Sequence, residues 1–185
     1  GSGVGQRKWF EHASGFGCPR PRTAAPTRGV QPPQCPSHPL SEPAAQAKVA
    51  GAEILININA SPFHRGKSSE RLERVKSCAA THELPIIYVN QVGGQDELVF
   101  DGGSFAIDAQ GELSVSAQTF IEAFPLVTVD RLSDPRLVPG DTVAEREDLD
   151  AVWQALVLGM RDYVDKNGIP GVVLGWSGGI DSAVT

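Results

Sequence analysis

The 185-residue sequence predicts an α/β chain. From residue 44 onward, short apolar runs alternate with stretches of helical period, as strands joined by crossover helices require. Near the other end, Val172-Val173-Leu174 feeds a glycine-rich loop and a new helix start, the unit that opens a doubly wound nucleotide domain. Residues 1–43 share neither period and hold more than half of the fourteen prolines. Pro32-Pro33, Pro36 and Pro39 remove backbone donors and forbid a helix, so this stretch is read as irregular.

The elements follow in order. Ala44 to Ala50 reads as the end of a helix closed by Gly51. Glu53 to Asn59 is a near-continuous apolar run, as in a strand buried on both faces, and Ser61-Pro62 breaks it. Ser68 or Ser69 can cap a helix reaching about Glu83, with Leu72, Val75, Cys78 and Ala79 on its apolar face. Pro85 ends it, and Ile86 to Asn90 is a second buried strand. Gly93-Gly94 marks a turn or a close approach of backbones. Ser104 to Asp108 and Glu112 to Ser116 flank Ala109-Gln110-Gly111 as a hairpin, and Leu126 to Val129 is a further strand. The polar stretch 132–147 reads as a linker. A helix follows with Leu149, Val152, Trp153, Leu156, Met160, Tyr163 and Val164 on one face, stopped by Gly168. Gly171 to Trp176 is a short strand.

Composition narrows the function. A net charge of −6 argues against a nucleic-acid-binding surface, which needs a basic patch. Three irregularly spaced cysteines, Cys18, Cys35 and Cys78, make neither a disulfide framework nor a structural zinc site, and free thiols suit a reducing cytosol. No apolar run is long enough to span a membrane and no signal pattern opens the chain, so a cytoplasmic protein without a membrane partner is expected. Asp96, Glu97 and Asp101 lack the spacing of metal ligands and are read as a solvated or hydrogen-bonded loop.

The chemistry concentrates in Gly175 to Ser182. A helix N-terminus exposes unpaired amides and the positive end of the helix dipole, which together hold phosphate. Gly178 and Gly179 let backbone amides come close to an anion, and Ser177 and Ser182 can donate hydroxyl hydrogen bonds to it. Asp181 can brace the loop or make a contact through Mg²⁺. A glycine turn capped by Asp or Ser would carry the same letters. The loop differs from the common Gly-x-x-x-x-Gly-Lys-Ser/Thr phosphate loop.

Ser177-Gly178-Gly179-Ile180-Asp181-Ser182 resembles the loop of the ATP pyrophosphatases, which cleave ATP between its α and β phosphates. Gly51 to His64 resembles the second half of a nitrilase-type amidase domain, and Tyr88 to Ser104 matches the version found in glutamine-dependent NAD⁺ synthetases. The resemblance covers roughly residues 46–185. It implies a partial nitrilase-like α-β-β-α sandwich over 44–131, a linker over 132–147, and the first β-loop-α elements of a doubly wound adenine nucleotide-binding domain over 148–185. Residues 1–43 stand outside the family's sequence. The implied substrates are glutamine, deamido-NAD⁺ and ATP with Mg²⁺; glutamine supplies ammonia, and ATP adenylates the nicotinate carboxylate. The family's full-length enzymes are expected to be homo-oligomers.

Carried over by motif, Ser61 and Lys67 match glutamine contacts, while Gly175, Ser177, Gly178, Gly179, Ile180, Asp181 and Ser182 match the ATP loop, with Asp181 toward Mg²⁺. On its residues alone, Ser61 could bond a ligand or cap the turn before Pro62, Lys67 would be a solvated loop lysine, and His64 is given a structural role. The family's Glu and Lys of the glutaminase triad have no counterpart in this chain. Cys35 stands at about the distance of the nucleophile, but Pro-Pro-Gln-Cys-Pro supplies neither a preceding strand nor an acid, so it is set aside as a coincidence. The expectation is a fragment of the ligase, inactive by itself. Another ATP pyrophosphatase, such as a GMP-forming synthetase, and a non-enzymatic remnant acting by association are the competing readings.

Overall fold

The computed structural model describes residues 41–131 and 136–185. Cys18 and Cys35, and nearly all of the irregular N-terminal stretch, lie outside the described residues. The described part of that stretch is helical: α1 spans Ser41–Val49, three residues longer at its start than the periodicity suggested. Proline fits the first turn of a helix, where its missing donor costs nothing, and Pro43 sits there.

Strands β1 (Leu55–Asn59) and β2 (Ile86–Asn90) run parallel, joined by α2 (Lys67–His82). Strands β5 (Phe105–Ile107) and β6 (Leu113–Ser116) form the expected hairpin and extend the sheet antiparallel in the order β1-β2-β5-β6. One sheet face packs under the helices, where Ala44, Val75, Cys78 and Ala79 meet Ile86, Tyr88, Phe105 and Ile107. Tyr88 and Phe105 stack with ring centroids 5.0 Å apart. On the other face Ala106 and Val115 are covered by Leu137, with Val127 and Val129 alongside.

Strand β1 is not buried on both faces as its apolar run suggested. It is an edge strand, and Ile56 and Ile58 are 60% and 79% exposed on the side away from the helices. The Ser cap expected for α2 is also absent. Gly66 stands at the N-cap with φ 74°, a left-handed conformation glycine adopts without strain, and no side chain caps the helix. The hydroxyl of Ser69 instead donates to Glu145 at 2.6 Å.

Val92–Gln95 (β3) and Leu98–Asp101 (β4) form a second hairpin that the glycine pair concealed. Asp96 and Glu97 are exposed at its turn, whereas Asp101 is buried, so the three acids do not form one cluster. Of the strand expected over 126–129, only Val129–Asp130 pairs (β7), with Arg136–Leu137 (β8); Leu126 is exposed. The polar stretch after it runs beside β6: the Gly140 amide donates to the Ser114 carbonyl, and the Ser116 amide to the Asp141 carbonyl. Its polar side chains face solvent while its backbone is held.

Helix α3 (Asp148–Lys166) lies on the β3–β4 hairpin through a face other than the one its large apolar residues mark. Ala155 and Leu158, with Ala151 beside them, pack against Phe120, Phe63, Val92 and Val99. Trp153, Leu156, Met160 and Tyr163 are exposed. Small residues let the backbones close. A Cβ on Gly94 would stand 3.0 Å from the Gly159 Cα, which makes Gly94 the close-approach site expected of the pair. The Gly94 amide donates to the Asp162 carboxylate at 2.8 Å, and the Lys166 ammonium donates to the Gly94 carbonyl. Burial pushes the Asp162 carboxyl up, but the Gly94 amide, with Lys166 and Arg161 nearby, outweighs it and holds the group below the usual carboxylate value.

Gly168 ends α3 with φ 63° as expected. Residues 171–176 form no strand, because no strand among the described residues pairs with them, and Val172, Val173 and Trp176 are exposed. The chain closes on the short helix α4 (Ile180–Val184). Among the described residues no helix is long and apolar enough to cross a membrane.

Candidate functional site

The C-terminal ends of parallel strands and the loops that leave them are where an open α/β sheet collects ligands. After β1, the segment Ala60 to Gly66 crosses that end of the sheet and delivers α2. A cavity of about 300 Å³ opens here, lined by Ser61, His64, Lys67, Glu70, Arg71, Arg74, Val75 and Tyr88. Ser61 and Lys67, six positions apart and carried over together by the family motif, both line this cavity. His64 joins them, and its Nδ1 lies 3.3 Å from the Arg65 carbonyl oxygen.

Beneath the cavity runs a buried polar network that periodicity could not reveal. Arg71 sits on the inward face of α2 and donates two hydrogen bonds to Asp101, at 3.2 and 2.6 Å, with both side chains buried. The Asn90 amide group donates to Asp101 Oδ1 at 3.1 Å and to the Gly102 carbonyl at 3.0 Å. Asn90 Oδ1 in turn accepts the Ser61 backbone N–H at 2.9 Å. The Ser104 hydroxyl donates to the Asn90 carbonyl at 3.5 Å and accepts the Asn90 backbone N–H at 3.0 Å. Most of these buried polar groups are satisfied in this way, Arg71 Nε being the exception, and such a network restricts geometry. The result is a rigid floor that holds the Ser61 backbone.

The charges on the cavity wall do not cancel. Arg71 is matched by Asp101 and Arg74 by Glu70. Lys67 has no ion pair among the described residues. The ammonium of Lys67 is thus the uncompensated charge of the wall, suited to a ligand with a carboxylate. The aromatic face of Tyr88, with the Arg71 guanidinium carbon 5.8 Å from its centroid, gives the cavity an apolar side.

The C-terminal loop is assembled separately. The Ser177 and Ser182 hydroxyl oxygens stand 3.0 Å apart, and Ser182 donates to the Gly179 carbonyl at 3.0 Å. Gly178 has φ 79°. Ser177, Gly178, Gly179, Ile180 and Asp181 are exposed, as is Gly175. The two hydroxyls are hydrogen-bonded to each other within the loop, and the backbone is open at Gly178, where an added Cβ would meet nothing within 4 Å. Among the described residues no three His, Cys, Asp or Glu side chains gather around a point, Asp181 included.

The carbon–nitrogen hydrolase family profile matches residues 35–133, more than half of the chain, and the NAD synthase profile matches residues 152–185. The glutamine-dependent NAD(+) synthetase of Rhodobacter capsulatus is 45% identical over 136 residues, 73% of this chain and 25% of that protein. Its namesake from Synechocystis sp. is 43% identical over 136 residues, 72% of this chain and 24% of that one. Among solved structures, a glutamine-dependent NAD+ synthetase from Acinetobacter baumannii in complex with adenosine diphosphate superposes with a TM-score of 0.67 at 37% identity, over 75% of this chain and 26% of that chain. One from Cytophaga hutchinsonii gives 0.53 at 30%, over 73% of this chain and 21% of that one. This chain spans about a quarter of the length of the curated relatives it matches.

Proposed function

The chain belongs to the carbon–nitrogen hydrolase family, and on that premise we propose that it is a segment of a glutamine-dependent NAD⁺ synthetase. Its cavity holds the glutamine whose amide nitrogen the complete enzyme transfers. The observation that carries this reading is the joint placement of Ser61 and Lys67 on one cavity wall with Lys67 as the uncompensated cation. Glutamine at neutral pH offers a carboxylate for that ammonium and a neutral amide for hydroxyl and backbone partners. The Lys67 ammonium binds and orients; the Ser61 hydroxyl, held by Asn90 through its backbone, donates to or accepts from the substrate.

The segment after Gly171 is the opening of an adenine nucleotide-binding domain, with Gly175, Ser177, Gly178, Gly179, Ile180, Asp181 and Ser182 as its ATP loop. ATP supplies the adenylyl group that activates a carboxylate, the nicotinate carboxylate of deamido-NAD⁺, toward ammonia. The hydroxyls of Ser177 and Ser182 hold phosphate oxygens, and Asp181 meets Mg²⁺ when the metal enters with the triphosphate. Convergence of the two hydroxyls supports this, as does the bound adenosine diphosphate of the Acinetobacter baumannii relative. The substrates are small molecules, and a cytoplasmic setting suits this chemistry.

Calorimetric titration of the chain with glutamine tests the cavity. Lys67→Ala removes the charge that meets the carboxylate, and a charge-assisted hydrogen bond of about 1.5–3 kcal/mol implies roughly ten- to a hundredfold weaker binding. Equal affinity of the wild-type chain and the variant would remove the assignment.

A further inference from the structure

The loop carrying Ser61 and Lys67 is tied to helix α3 in two ways: directly, through Phe63 and the Arg65–Asp148 ion pair at 3.1 Å, and through the β3–β4 hairpin. At its base, Asn90 precedes β3 and Asp101 ends β4, and both belong to the network that holds the Ser61 backbone. Along its edge, the Phe63 amide donates to the Val99 carbonyl at 2.7 Å, and Pro62 bridges to Phe100. On its other side, Gly94 lies against Gly159, and both polar groups of the Gly94 backbone are held by α3, the N–H by Asp162 and the carbonyl by Lys166. Phe63 itself packs in the apolar cluster of Ala155 and Leu158. Apart from the long Lys166 side chain, the path runs through backbone groups, short side chains and the packed Phe63 ring, which leave little slack between its ends.

We propose that Asp162 and Lys166 are positioning residues for the cavity: by gripping Gly94 they set the hairpin, and the hairpin sets Ser61 and Lys67. The inference rests on the glutamine reading for its ligand and on geometry alone for its path. It links residues of the carbon–nitrogen hydrolase match to a helix that lies mostly within the NAD synthase match. Thermodynamic linkage makes the coupling reciprocal, so ligand in the cavity tightens α3 on the hairpin as much as the grip favours ligand.

Amide hydrogen exchange on the full chain, followed by NMR, tests the path. Asp162→Asn removes the acceptor charge, and Lys166→Met removes the second arm together with its ion pair to Asp162. Both variants should speed exchange at Gly94 and also at Ser61 and Phe63, roughly fivefold or more. Lys166→Arg, which keeps a donor, should restore the protection at Ser61. In the wild type, saturating glutamine should slow exchange in both 61–67 and 155–166, and in Asp162→Asn only in 61–67. Acceleration confined to Gly94 and α3, with Ser61 and Phe63 unchanged, would overturn the inference. A wild-type chain that binds no glutamine would instead overturn the substrate reading, and the ligand-free exchange at Ser61 would still decide the path.

Discussion

At the scale of single residues, the buried pair of Arg71 and Asp101 does most to define the site. Both side chains are out of water, and three donated hydrogen bonds converge on the two oxygens of Asp101. Removing one partner leaves the other charge buried and unmatched, which costs about 3–5 kcal/mol. Asp101→Leu should therefore lower the stability measured by urea unfolding by that amount. The double change Arg71→Met with Asp101→Leu should cost clearly less, because no charge is stranded. A double variant as unstable as the single one would show that the pair acts through packing and not through charge. Neither residue was legible in the sequence as a partner. Arg71 shares the face of Val75 and Cys78, where a charged letter names no partner, and the acids nearest Asp101 in sequence, Asp96 and Glu97, lie at the opposite end of the hairpin.

Among the elements, the seating of α3 on the β3–β4 hairpin depends on two glycines. Gly94→Ala would place a methyl 3.0 Å from the Gly159 Cα and 3.1 Å from the Asp162 Cβ. Overpacking of this kind costs about 1–3 kcal/mol. The expected result is a lower thermal midpoint, with faster exchange along the face of α3 bearing Ala155 and Leu158. An unchanged midpoint would mean that the contact is loose. The same seating carries a pH dependence. The Asp162 carboxyl is held below its ordinary value in the folded chain, so its contribution to stability is fully present above the unfolded value, about 3.9, and is lost as pH falls through the lower folded value. Asp162→Asn should flatten the stability profile below about pH 4 relative to wild type, and identical acid profiles would exclude the carboxylate from the seating.

At the scale of the molecule, the described residues expose many large apolar side chains. Ile56 and Ile58 on the outer face of β1 lie open, as do Trp153, Leu156 and Met160 along α3 and Val172, Val173 and Trp176 beyond it. Large exposed apolar patches favour association. Leu156→Glu with Met160→Lys should raise the concentration at which the chain remains monodisperse in light scattering, with far-ultraviolet circular dichroism unchanged. No gain would place the adhesive surface elsewhere. The sequence determined the local features by itself: the helix stops at Gly51 and Gly168, the hairpin around Gly111, the strand at Ile86 to Asn90, and the letters of the Ser177 to Ser182 loop. Each of these follows from backbone conformation or near-neighbour chemistry, which short-range patterns encode. Which face of an element is covered was decided only by tertiary structure. Apolar periodicity marks a face that can be buried, and it cannot say whether a partner surface is there. So, among the described residues, the small-residue face of α3 packs while its large-residue face stays open, β1 lies at the sheet edge, Gly171 to Trp176 pairs with no strand, and Ser61, Lys67, Arg71 and Asp101 meet because β1, α2 and a hairpin converge at one end of the sheet.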